Sequence, residues 1–230
     1  MEYDNETLIF DTRSLEGMDN PVELLNRMQD YRELMMKYRC ALMEVETKLN
    51  VLNEEFTMKY SRNPFESIQS RIKTPKSVIE KMHRLGLELT VKNIEQNLFD
   101  IAGIRVICSF EDDIYAIAKL LTDQDDIILI REKDYIKHPK ENGYRSLHLI
   151  VDIPIFLAEG KTHMKVEVQL RTIAMDFWAS LEHKLRYKKE IKNTEYITSE
   201  LKGCADVISS TDKKMQAIRD IIEENTPHRR

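Results

Sequence analysis

Ten apolar residues, Leu24, Met28, Tyr31, Met35, Tyr38, Leu42, Val45, Leu49, Leu52 and Phe56, follow one another at alternating spacings of four and three. That rhythm predicts one α-helix whose seam runs roughly 50 Å at 1.5 Å per residue, packed lengthwise on another helix. Asn20-Pro21-Val22-Glu23 supplies its start, with Asn20 as N-cap, Pro21 where a missing N–H costs nothing and Glu23 placed to reach back. Leu201, Cys204, Ile208, Thr211, Met215, Ile218 and Ile222 repeat the seam near the C-terminus. The two helices pair either within one chain or between chains.

At 230 residues, 42% hydrophobic and 33% charged, with six Gly and six Pro, the composition is that of a folded, helix-rich chain rather than a disordered one. The net charge of -5 opposes coating of nucleic acid by bulk electrostatics, so no stable nucleic-acid partner is expected and any phosphate site must be focused. No apolar run reaches the ~20 residues of a membrane span, and the acidic start MEYDNETLIF has no signal-peptide pattern. A cytoplasmic location without membrane association is the expectation. Cys40, Cys108 and Cys204 are far apart and embedded in apolar patterns, which predicts buried free thiols.

Between the seams the period changes. Residues 101–109 (IAGIRVICS) and 126–131 (DIILIR) read as strands around a helical pattern at 111–121, a βαβ signature. Residues 144–151 and 164–170 alternate as strands, and a helix follows at 172–189, with Trp178, Leu181 and Leu185 directed to a core. The predicted fold is α+β: a mixed sheet of about five strands flanked by helices, with long N- and C-terminal helices. One domain is expected, with 1–20 loose, a helix over 21–60, a core over 65–190 and a last helix over 195–224.

In VEVQLRT the pleat puts Val166, Val168 and Leu170 on one face and Glu167, Gln169 and Arg171 on the other. A solvated outer face is the ordinary reading of such a strand. The preceding strand, however, alternates Leu147, Leu149 and Val151 with Tyr144, Ser146 and His148, so two polar faces can meet as one floor. SRIKTPKS (70–77) leads into a helix with Lys81 and Arg84, and Ser77 with free backbone N–H groups suits a polyphosphate. A second basic stretch, REKDYIKHPKENGYRSLH, reads as one long loop holding Arg131, Lys133, Lys137, Lys140 and Arg145. Asp100 opens one strand and Glu167 lies in another, and two carboxylates from different strands are a minimal holder for Mg²⁺. No Walker loop or Rossmann fingerprint is present.

SRIKTPKS, DIAGIRVIC, REKDYIKHPKENGYRSLH, VEVQLRT and MDFWASLEHKLRYK, in that order, closely resemble the synthetase domain of (p)ppGpp synthetases, and the length resembles the single-domain small alarmone synthetases. The resemblance implies transfer of the β,γ-pyrophosphoryl group of ATP to the ribose 3′-hydroxyl of GDP or GTP, without hydrolase activity. It implies that Arg71 and Arg105 sandwich adenine and that Lys73, Ser77, Lys81 and Arg84 hold the ATP phosphates. Asp100 and Glu167 would hold Mg²⁺ or Mn²⁺, with Glu167 also the general base. Tyr144 would stack on guanine, His148 and Gln169 would position the acceptor, and Lys133 and Lys140 would lie near its 5′-phosphates. It also implies a homotetramer formed through the terminal helices. Two other readings stay open from the residues: a non-catalytic alarmone- or RNA-binding protein on the same sheet, opposed by Asp100, Glu167 and Tyr144, and an enzyme moving a different group to a nucleotide.

Overall fold

The computed structural model describes residues 21–186 and 194–225. The expected loose segment 1–20, the Asn20 cap and the end of the 172–189 helix lie outside them. The chain runs α1 (Pro21–Lys59), β1 (Phe65–Ile72), α2 (Pro75–Arg84), α3 (Val91–Asn97), β2 (Ala102–Cys108), α4 (Glu111–Thr122), β3 (Ile128–Asp134), β4 (Leu147–Leu157), β5 (Gly160–Thr172), α5 (Ile173–Arg186) and α6 (Thr194–Asn225). The five strands form one mixed sheet in the order β1-β2-β5-β4-β3, the architecture predicted. Only β2 and β5 pair in parallel.

The βαβ reading needs correction. β2 and β3 point the same way, but β5 and β4 lie between them, so α4 carries the chain across two strands. β1 has no counterpart in the sequence reading, because FESIQSRI lacks clean alternation. Its antiparallel partner β2 supplies the order instead. Residues 70–72 are therefore strand, and only the following turn leads into α2, capped by Thr74.

The N-terminal seam is also re-partnered. Met35, Tyr38, Leu42, Val45 and Leu49 are buried in one core with Leu149, Val151, Val166, Val168 and Leu170 of the sheet. A stripe at three-four spacing fits an apolar sheet face as well as a second helix, and periodicity does not say which. The C-terminal seam stays largely open: Leu201 and Ile208 lean on Trp178 and Ala205, while Met215 and Ile218 are 53% and 50% exposed. Cys204 on this helix is exposed, against expectation, whereas Cys108 is buried and Cys40 half-buried. Leu181 and Leu185 also face outward rather than into a core. Trp178 is buried as a packing residue, its indole N–H donating to Leu201 O at 3.0 Å.

α6 is tied to the sheet layer by side chains. Arg145 reaches Asp206 at 3.0 Å, Thr172 Oγ1 lies 2.5 Å from Asp212, and Gln216 Oε1 accepts from the Glu111 and Asp112 N–H groups at the start of α4. Among the described residues, no helix is long and apolar enough to cross a membrane.

Candidate active site

One face of the sheet is covered by α1 and α4; the other carries the polar residues. Directly paired residues share a face, and the register draws two rows across it. Arg71, Gly103, Glu167, Ile150 and Arg131 form the first, and Gln69, Arg105, Gln169, His148 and Lys133 the second. All five strands thereby bring three arginines, a lysine, a carboxylate, two amides and an imidazole onto one floor. Gly103, lacking a side chain, leaves a gap between Arg71 and Glu167 in the first row.

Two clefts open on this floor. One, of about 260 Å³, is lined by Gln69, Ser70, Arg71, Gly103, Arg105 and Gln169. The other, of about 290 Å³, holds the carboxylates of Asp100 and Glu167 among the cations Lys81, Arg131, Lys133 and Lys140, with Phe99, Tyr135 and His148 as rings. Gln169 of the first donates to Glu167 Oε2 of the second at 2.8 Å, so the clefts are linked through this pair.

Glu167 sits in a closed circuit. Its Oε1 meets His148 Nδ1 at 3.1 Å; His148 Nε2 meets Tyr144 Oη at 2.8 Å; Arg171 donates to Tyr144 Oη at 2.7 Å and to Gln169 Oε1 at 3.3 Å. Burial alone would raise the Glu167 carboxyl, but the bonds from His148 and Gln169 more than offset it and hold it below its ordinary value. Asp100 behaves alike. Burial pushes it up, yet Lys81 at 2.7 Å and Lys73 at 3.1 Å pull it below the usual carboxylate range. Both carboxylates are thus ionised near neutrality. Asp176, in the first turn of α5, lies 3.0 Å from Arg171 and 3.4 Å from Arg105.

The structure therefore gathers most of the candidates. Arg71, Arg105 and Gln169 line one cleft, and Lys81, Asp100, Lys133, Lys140, His148 and Glu167 line the other. Lys73 stands behind Asp100. Ser77 lies in the first turn of α2 with its N–H donating to Thr74 Oγ1 at 3.3 Å, and Arg84 is exposed in the last turn and lines neither cleft. Tyr144 precedes β4 and joins the site through the circuit; Ser146 is buried and donates to Leu170 O at 3.0 Å instead of facing the floor. Arg131 and Lys133 belong to β3 rather than to a loop.

Sequence reasoning left out Phe99, Tyr135, Arg171 and Asp176 as site residues. Strand alternation had already put Arg171 on the Glu167 face. The other three lie in connections or at a helix start, where no period marks them.

A family profile described as a region found in RelA/SpoT proteins matches residues 70–192. The GTP pyrophosphokinase YwaC of Bacillus subtilis (strain 168) is 40% identical over 201 residues, 87% of this chain and 96% of the relative. The small alarmone synthetase 1 from Bacillus subtilis bound to its product pppGpp superposes with a TM-score of 0.77 at 34% identity, covering 84% of this chain and 97% of that one. The same synthetase bound to AMPCPP gives a TM-score of 0.72 at 32% identity, covering 85% and 99%.

Proposed function

The chain belongs to the RelA/SpoT family of GTP pyrophosphokinases, with the small alarmone synthetases, and we propose that it transfers the β,γ-pyrophosphoryl group of ATP to the ribose 3′-hydroxyl of GDP or GTP, releasing AMP. The observation that carries this reading is Glu167, ionised and linked through Gln169 to a second cleft. One cleft is lined by two arginines and the other by cations and rings. Phosphoryl-type transfer is mainly positioning and charge neutralisation, and two adjoining clefts of this kind suit a donor and an acceptor nucleotide.

On the donor side, Arg71 and Arg105 offer flat guanidinium groups on which adenine stacks. Lys73 and Lys81, with Ser77 and Arg84 on α2, supply cations and a helix start for the phosphates. On the acceptor side, Tyr144 gives a ring for guanine, His148 and Gln169 orient the ribose, and Lys133 and Lys140 meet the 5′-phosphates. Glu167 takes the proton of the 3′-hydroxyl as that oxygen attacks the β-phosphorus of ATP and AMP leaves.

The residues fit a divalent cation. Asp100 and Glu167, both held below their ordinary values, bring two ionised carboxylates to the same cleft. Mg²⁺ needs only one or two carboxylates beside phosphate oxygens, so Asp100 and Glu167 would hold it or Mn²⁺. When bound, the cation neutralises phosphate charge as the transfer proceeds. The reading includes one synthetase unit from α1 to α6, a cytoplasmic location, and a homotetramer formed through the exposed side of α6.

Product chromatography with ATP, Mg²⁺ and GDP, GTP or GMP tests the reaction. AMP and a 3′-pyrophosphorylated guanine nucleotide are expected in equal amounts. Absence of both with all three acceptors overturns the reading.

A further inference from the structure

We propose that Arg171 is a positioning residue that donates to both arms of the hydrogen-bond circuit around Glu167 and thereby holds Tyr144 and Gln169 in place for the acceptor nucleotide. The proposal rests on the reading of Glu167 and Tyr144 given above and assigns a role to a side chain that lines neither cleft.

Which groups can donate decides the arrangement of the circuit. A guanidinium has donors only, and a carboxylate has acceptors only. Arg171, 6% exposed, puts one nitrogen 2.7 Å from Tyr144 Oη and 3.3 Å from Gln169 Oε1. Gln169 must therefore turn its carbonyl oxygen to Arg171, which leaves its NH₂ for Glu167 Oε2. Tyr144 Oη, accepting from Arg171, sends its own proton to His148 Nε2 and leaves the Nδ1 proton of His148 for Glu167 Oε1. Each bond in the circuit inherits its direction from Arg171 at one end and Glu167 at the other. Without the guanidinium, Glu167 still fixes these directions, but Tyr144 Oη and Gln169 Oε1 lose the shared donor that holds them together.

The Arg171 guanidinium also lies over the Tyr144 ring, 5.1 Å from its centroid, and Asp176 anchors it at 3.0 Å. Stability alone does not account for an arginine here. Its Nε is buried without a partner, and a buried donor left unpaired is destabilising.

Arg171→Lys tests the role, because an ammonium keeps the charge opposite Asp176 but lacks the planar fork that serves Tyr144 and Gln169 together. Steady-state kinetics should show turnover about tenfold lower and the KM for GDP raised several-fold, with the KM for ATP within about twofold. Tyr144→Phe removes the hydroxyl through which Arg171 acts, so the double variant should be little worse than the poorer single one. Additive losses in the double variant overturn the proposal, as does an equal change in both KM values. Should Arg171→Lys fail to fold by circular dichroism, Asp176→Asn, which loosens the guanidinium while leaving it in place, must raise the KM for GDP and show the same non-additivity with Tyr144→Phe, or the proposal fails. A wild-type protein that forms no product overturns the reaction but not this role. Calorimetric GDP binding then decides, with weaker binding and the same non-additivity expected, and unchanged binding in Arg171→Lys against it.

Discussion

Gly143 lies so close to α6 that a Cβ added to it would come 2.5 Å from the Cβ of Ala205 and 3.1 Å from the Cα of Lys202. Its φ of +89° is also one that side-chain-bearing residues rarely adopt. The loop that delivers Lys140 and Tyr144 thus depends on contact with a helix 60 residues further along the chain. Gly143→Ala should lower stability by about 2 kcal/mol from backbone strain and overpacking together. Thermal unfolding checks the first effect, and a GDP KM raised more than that for ATP checks the displacement of the loop.

Asp134 closes β3 and starts the same loop. Its Oδ1 accepts from the Ile136 and Lys137 N–H groups at 3.0 Å each, and Tyr115 donates to Oδ2 at 3.1 Å. Burial would raise this carboxyl, but the bonds from Lys137, Tyr115 and Ile136 hold it below its ordinary value. A depressed carboxyl contributes stability that is present above the unfolded value of about 3.9 and is lost as pH falls through the folded one. Urea unfolding of wild type should weaken from pH 5 to pH 3, and Asp134→Asn should lose less over that range. Identical slopes in the two proteins would count against the carboxyl as the loop's anchor.

The two seams now separate by experiment. Leu42 is buried under the sheet and Ile218 is exposed on α6. Leu42→Asp puts an unpaired charge in the core, a cost comparable to the ~5–15 kcal/mol that hold a domain folded, and should yield unfolded protein. Ile218→Asp should leave circular dichroism unchanged while light scattering reports a mass below that of the wild-type protein, as the proposed tetramer through α6 requires. A wild-type protein already monomeric at micromolar concentration excludes the tetramer.

The legible parts of the chain were those where period and side chemistry agree. The alternation in 166–172 fixed which residues of β5 face the site, and the seam of α1 marked its buried stripe correctly, since Val45 and Leu49 are fully buried. What covers that stripe was not legible, because an apolar sheet and an apolar helix ask for the same spacing. β1 was missed since its pairing with β2, rather than its own pattern, makes it a strand. Tyr135 and Asp176 escaped because they reach the site through a loop and a helix start, and long-range register brings them there.

The most demanding test falls on Glu167. Glu167→Gln preserves size and leaves Oε1 able to accept from His148, but its new NH₂ meets the Gln169 NH₂, and two donors repel where one bond of 2.8 Å stood. On the proposed reading, the substitution removes the charge that would hold a divalent cation and the basicity that would accept the 3′-hydroxyl proton. General-base work is worth about 10²- to 10⁴-fold, so turnover should drop by more than ~100-fold. Arg71 and Arg105 lie in the other cleft and keep their geometry, so binding of AMPCPP should weaken far less than turnover falls. Asp100→Asn should follow the same pattern and in addition release Lys73 and Lys81, which it now pairs at 3.1 Å and 2.7 Å. If Glu167→Gln retains more than about a tenth of wild-type turnover at saturating Mg²⁺, the proton goes to another group, and His148, bonded to the same carboxylate, becomes the residue to replace next.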